Sequence, residues 1–347
     1  MSTPDSFIDT LLDSSGSVDN VSAILDDETA GESFSGPLYE PGYEGKIDYR
    51  IRQLSYSSLL TLHTCPRKFQ LYKLRTVHRT KDSEKQTVTF AYGHVVGEAI
   101  QLILAGAAEE EVILHMFLGW YADLLAEDEK AKKSFWSAVV AAKRFFAIRH
   151  TLLAEYELVY HDGKPACELS FCINFPDAFR YRGHVDAVLR HRVTGKILVL
   201  ECKTTGARTL NPATYKNSAQ AIGYSIVLDS LFPDLSSYDV LYLIYQTHTQ
   251  EYLAWPFEKT YLQRALWIRE LLLDIEFIKM SEAAGVYKMH GESCFSFMRE
   301  CEYINSCTMS TEFLARQGTE KDFDTTKYQV TLSLNDLLET QLGKIST

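Results

Sequence analysis

The stretch Arg182-Gly183-His184-Val185-Asp186, followed by Ile197-Leu198-Val199-Leu200-Glu201-Cys202-Lys203, decides how this chain is read. Residues 197–200 are continuously apolar, the pattern of a central strand covered on both faces. Strand side chains alternate, so Glu201 and Lys203 share one face and Cys202 takes the other. The turn sequence Val193-Thr194-Gly195-Lys196 folds the preceding strand back, which sets Asp186 beside Glu201. Two carboxylates and an ammonium at one sheet edge suit a hard cation, Mg²⁺ or Mn²⁺, on Asp186 and Glu201, with the Cys202 carbonyl oxygen as a further ligand. Such an ion polarises a phosphate and lowers the pKa of water. Lys203 then orients that water or helps deprotonate it, and offsets charge growing on the phosphate. A surface ion pair at a strand end is the competing account of Glu-x-Lys alone. The Gly-x-x-Asp strand upstream, the buried run and the helix downstream argue against it.

Outward from this stretch, residues 166–174, 180–190 and 196–203 read as three successive strands. A helix is predicted over 212–230, with Gln220 and Tyr224 one turn apart on one face, within reach of Lys203 or a DNA phosphate. A strand at 238–246, a partner at 251–255 and a helix at 258–282 follow. Upstream, a short helix is predicted at 55–64, then one begun by Pro66, then three at 91–105, 109–126 and 131–153. The order gives an α/β fold: a mixed central β-sheet flanked by helices, with an added helical region over about 91–153.

The 347 residues carry a net charge of −11, which argues against a nucleic-acid partner until its distribution is seen. Residues 1–48 hold eleven acids and one lysine, Lys46, leaving 35 of the 46 acids against 34 of the 35 Lys and Arg. The acidic stretch reads as a disordered arm and the rest as near neutral, free to carry a basic groove. No apolar run is long enough for a membrane span. The opening MSTPDSFIDT lacks a basic segment followed by an apolar core, so a cytoplasmic location is expected.

Residues 67–81 include Arg67, Lys68, Lys73, Arg75, Arg79 and Lys81 with no acid, interleaved with Phe69 and Tyr72. This composition tracks phosphates and stacks bases, or else is a solvated helix face. Arg180, Arg182 and Arg208 add phosphate contacts near the Glu-x-Lys strand. Cys65 lies early and Cys294, Cys301 and Cys307 late in the chain, a set that can hold Zn²⁺ or an iron–sulfur cluster if the chain closes on itself. Cys167, Cys172 and Cys202 read as buried strand residues.

Gly183-x-x-Asp186, Glu201-x-Lys203 and Gln220-x3-Tyr224 resemble the PD-(D/E)XK nuclease superfamily, in particular its RecB-like branch, over about residues 50–310. The resemblance implies a restriction-endonuclease-like core, metal on Asp186 and Glu201, water assisted by Lys203, and supporting roles for Gln220 and Tyr224. Glu168 sits where members often carry an acid. In Gly93-His94-Val95-Val96-Gly97-Glu98, Gly97 stands where many members have a metal-binding His, so that either the site uses fewer protein ligands or Glu98 substitutes. One Cys before and three after the motifs is similar to the [4Fe–4S] clamp of AddB-type and CRISPR-associated nucleases, although their Cys-x-x-Cys is not kept. The resemblance thus implies a nuclease domain at 49–320 with a cysteine-clamped end, after the arm at 1–48 and before a C-terminal tail at 321–347. It also implies a Mg²⁺- or Mn²⁺-dependent deoxyribonuclease acting from DNA ends in repair, recombination or virus replication. No G-x4-GK[ST] motif occurs, so a helicase or recombination protein is the partner expected to supply any motor. An inactive nucleic-acid-binding accessory protein and a zinc-clamped structural protein are the alternatives.

Overall fold

The computed structural model describes residues 50–74, 88–122, 132–232, 238–296, 299–305, 307–308 and 327–343, all within the unit Glu44–Thr347. The acidic arm, Arg75, Arg79 and Lys81 lie outside the described residues. The strands are β1 (Gln53–Ser55), β2 (Tyr156–Leu158), β3 (Tyr160–His161), β4 (Lys164–Pro165), β5 (Cys167–Asn174), β6 (Arg180–His191), β7 (Ile197–Thr205), β8 (Tyr238–Gln246), β9 (Glu251–Lys259), β10 (Phe295–Ser296), β11 (Arg299–Glu300) and β12 (Val330–Ser333). The helices are α1 (Tyr56–Thr64), α2 (Pro66–Lys73), α3 (Val88–Leu104), α4 (Glu109–Ala122), α5 (Phe135–Glu155), α6 (Ala213–Lys216), α7 (Ala219–Leu231), α8 (Tyr261–Ala283) and α9 (Leu334–Gly343).

One mixed sheet runs β12-β5-β6-β7-β8-β9, with β1 and β2 also on β6. β5, β6 and β7 are antiparallel neighbours, whereas β7 and β8 are parallel and need the crossover through α6 and α7. The continuous apolar run of β7 has a simple cause: it is covered twice. Ile197 and Val199 join a core with α1, α2, α7, α8 and α9. Leu200 and Cys202 join a second core with α3, α4 and α5.

Two expectations are corrected. The helix predicted over 212–230 is broken, because Asn217 caps α6 and Ser218 starts α7, and both residue types compete with helical hydrogen bonding. The stretch expected as a tail carries β12, which pairs in parallel with Phe171–Asn174 of β5. Gln329 fixes that register: its Oε1 accepts the Ser170 N–H at 2.9 Å and its N–H reaches Ser170 Oγ at 3.1 Å. Four residues are too short a run for alternation to mark a strand.

Gly183 is required by its partner across the sheet. It pairs with Phe171, and a Cβ there would come within 2.6 Å of the Phe171 ring and 3.5 Å of Tyr224. Phe171 is fully buried against Tyr181 and Tyr224 and has nowhere to move. Gly183→Ala should therefore destabilise the fold by about 1–3 kcal/mol, read as a lower urea midpoint at unchanged slope; an unchanged midpoint would mean that Phe171 has room.

Candidate active site

The β6–β7 ladder pairs Arg190 with Ile197 through Ala187 with Leu200. Just beyond it the Asp186 carboxylate takes the role of the missing backbone acceptor: its Oδ2 accepts the Cys202 N–H at 2.7 Å. Strand residues direct N–H and C=O toward the same neighbour, so the Cys202 carbonyl is aimed to this side too. Glu201, 1% exposed, points to the α7 side of the sheet. Lys203 Nζ donates to Glu201 Oε1 at 2.5 Å and to Gln220 Oε1 at 3.1 Å, and Gln220 Nε2 donates to Tyr224 Oη at 2.6 Å. The residues predicted from Gly-x-x-Asp, Glu-x-Lys and the α7 pair thus form one connected group. Glu201 Oε2, by contrast, is buried with no hydrogen-bond donor, which is costly for a carboxylate oxygen.

The charges follow from burial. Desolvation first, then the Glu201 charge, pushes the Asp186 carboxyl well above the usual carboxylate range, against Lys203 and the Cys202 N–H. Desolvation also raises Glu201, with Lys203 and the nearby Gln220 amide opposing it. Burial alone would lower Lys203, but Glu201 and Asp186 outweigh it and hold the ammonium above its ordinary pKa. Glu168 raises both Asp186 and Glu201 by its charge. It sits in β5 with φ +50°, a left-handed conformation unusual for Glu, its Oε1 accepting from Gln101 Nε2 at 3.1 Å and His184 3.7 Å away.

α3 crosses this edge. A Cβ on Gly93 would lie 3.5 Å from Thr204 Oγ1 of β7, and Gln101, two turns on, holds Glu168. Gly97 falls between them, and a Cβ there would meet nothing within 4 Å. Glu98 is turned about 100° further round the helix. It engages His94 at 3.2 Å and His115 of α4 at 3.5 Å rather than joining Asp186 and Glu201. Among the described residues no group of three or more His, Cys, Asp or Glu is already drawn in around a single ion. The donor set of Asp186, the unpartnered Glu201 oxygen and the Cys202 carbonyl nonetheless fits a hard divalent cation, which takes oxygen ligands and completes its shell with water and phosphate.

Cys65, Cys294, Cys301 and Cys307 all line one cavity of ≈ 170 Å³, with Lys68, Leu71 and Tyr303 around it. The long spacer between Cys294 and Cys301 is a hairpin: β10 and β11 pair Phe295 with Glu300, and the Cys301 N–H reaches the Cys294 carbonyl at 2.7 Å. Burial first, then the other three cysteines, raises the Cys307 thiol, with Arg67 opposing.

Two predicted DNA contacts, Arg67 and Lys73, are corrected here. Arg67 is buried and structural, its Nε donating to the Cys307 carbonyl at 3.0 Å and its guanidinium to Gln70. Lys73 is buried on the Gln53 carbonyl. Position along a basic stretch does not reveal which cations turn inward. Lys68, 3.9 Å from Glu302, stays partly exposed, and Arg208 is exposed. Arg182 is half-buried and donates to Tyr328 Oη at 3.3 Å.

A mixed sheet flanked by helices, with two carboxylates and a lysine where two strands part, defines a restriction-endonuclease-like core. The chain belongs to the PD-(D/E)XK nuclease superfamily, whose family model matches residues 53–308. A solved structure titled "Crystal structure of SSO0001" is 12% identical over 65% of this chain and 87% of that one, with a TM-score of 0.25. No curated protein matches.

The raised Asp186 pKa makes a signed prediction. A carboxyl raised in the fold stabilises it fully below the unfolded pKa, and that contribution is lost as pH rises through the folded value. In EDTA, Asp186→Asn, which keeps an acceptor for Cys202, should melt higher than wild type at pH 7–8. The two should converge near pH 3.8. Thermal melts across pH check this; a variant less stable than wild type at pH 8 would contradict it.

Proposed function

We propose that this protein is a metal-dependent deoxyribonuclease of the RecB-like branch, with its reaction centre at Asp186, Glu201 and Lys203. The observation that carries the reading is Glu201 buried beside Asp186, its Oε2 without a well-formed hydrogen bond, with a protonated lysine on the same face. A bound Mg²⁺ or Mn²⁺ would supply Lewis acidity at the phosphate and a lower pKa for water. Asp186 and Glu201 would hold it, with the Cys202 carbonyl. Lys203, kept charged, works as a donor: it orients the attacking water and offsets charge on the phosphate, rather than removing a proton. Gln220 and Tyr224 position the Lys203 ammonium through their hydrogen-bonded chain. Among the described residues Lys68, Arg180, Arg182 and Arg208 remain candidates for phosphate contact, and an exonuclease's preference for ends rests on the family resemblance.

The four cysteines are proposed to hold a [4Fe–4S] cluster with a structural role, tying α2 to the segment after α8. What supports the clamp is that all four cysteines, from the start and the end of the domain, line one cavity; the choice of a cluster over Zn²⁺ rests on the family resemblance. Anaerobically purified wild type should absorb near 400 nm. Cys294→Ser with Cys301→Ser should lose that absorption; stoichiometric zinc without colour would overturn the cluster.

The activity is tested on end-labelled linear and closed circular DNA with Mg²⁺, Mn²⁺ or EDTA. Glu201→Ala should abolish cleavage, and Lys203→Ala should lower kcat about 100-fold or more. Sparing of the circle marks an exonuclease. If wild type binds DNA but degrades none of these substrates, the protein is an accessory factor instead.

A further inference from the structure

We infer that the solvent face of α5 is a second contact surface for the DNA backbone, apart from the carboxylate edge, with Trp136 placed to stack on an unpaired base. The identity of the partner rests on the nuclease reading above; the surface itself rests on the helix. From Lys132 to Ala154 the chain carries Lys132, Lys133, Lys143, Arg144, Arg149 and His150, and no Asp or Glu until Glu155, the exposed last residue of α5. An ordinary exposed helix mixes both signs. The acids of residues 123–129 precede it in sequence and lie outside the described residues.

The structure sorts this helix cleanly. Ala138, Val139, Ala141, Ala142 and Phe145 face the core, and Tyr252 Oη anchors the helix by donating to the Ala141 carbonyl at 3.0 Å. Lys132, Trp136, Lys143, Arg144 and His150 are exposed. Trp136, Lys143 and His150 are spaced by seven residues, two turns, which sets them in one row about 10 Å apart. Glu109 of α4 pairs with Lys143 at 3.1 Å, with both side chains roughly half exposed. Such a pair is weak in water and readily exchanged for a phosphate. Arg149 lies over the Phe146 ring on the flank, 4.6 Å from its centre. Trp136 is 58% exposed, and the Phe135 ring, edge-on at 5.4 Å, holds it. A row of cations beside an exposed indole complements a polyanion that also offers flat apolar rings, as a DNA strand does.

The test is DNA binding by the full chain in EDTA, by anisotropy of labelled single-stranded and duplex 30-mers across a salt series. The variants are Lys143→Glu/Arg144→Glu, the milder Lys143→Gln/Arg144→Gln, and Trp136→Ala. Circular dichroism confirms that each folds. The double reversal should weaken binding about tenfold or more, and the neutral pair should lower the salt slope by about two. Trp136→Ala should weaken single-strand binding about fivefold or more and spare the duplex. If wild type binds DNA and every variant binds equally, the surface is refuted and the nuclease reading stands. If wild type binds neither DNA, both fail. If the double variants instead lose only binding to anionic-lipid vesicles, the face is a membrane contact and the inference is overturned.

Discussion

A carboxylate withdrawn from water, with one ammonium beside it, governs the rest of this structure. Burying Glu201 is expensive, and its pairing with Lys203 satisfies one oxygen only. The strand that carries both must be held rigidly, which its two cores accomplish. The opposing strand must come close, and Gly183 lets Phe171 and Tyr224 pack where a side chain would intrude. Tyr224 in turn supports Gln220, and Gln220 supports Lys203. Packing and electrostatics are thus two views of one chain of contacts, running from a core phenylalanine to a charged edge.

Much of this was legible in the residues. The apolar run before Glu201 announced a strand covered on both faces, and alternation put Glu201 with Lys203 and apart from Cys202. The β6–β7 hairpin followed from Thr194 and Gly195. What stayed hidden depends on contacts distant in sequence. Arg67 and Lys73 look like phosphate ligands in a basic stretch, yet the fold turns both inward onto carbonyls. β12 is marked by no pattern of its own, because its reason for being a strand is the exposed edge of β5. The left-handed backbone of Glu168 has no signature in a Glu codon; its neighbours Gln101 and His184 come from other elements.

α3 shows the same dependence from the other side. Three positions on it, Gly93, Gly97 and Gln101, carry little chemistry by residue type. Their placement gives close approach to Thr204, open room in the middle and a hold on Glu168. Glu98, the residue whose type looked most useful, is spent on the two histidines beside it.

The hairpin between Cys294 and Cys301 changes what should count as spacing. The two cysteines are neighbours because paired strands bring them together, and six intervening residues are as good as two. Distance along the chain is therefore the wrong ruler; position across the ladder is the right one. Residues added at the tip of a hairpin lengthen its ladder or its loop and leave the residues at its base opposite one another. Related chains would be expected to differ here in hairpin length, with the cysteines unmoved in space while drifting apart in sequence.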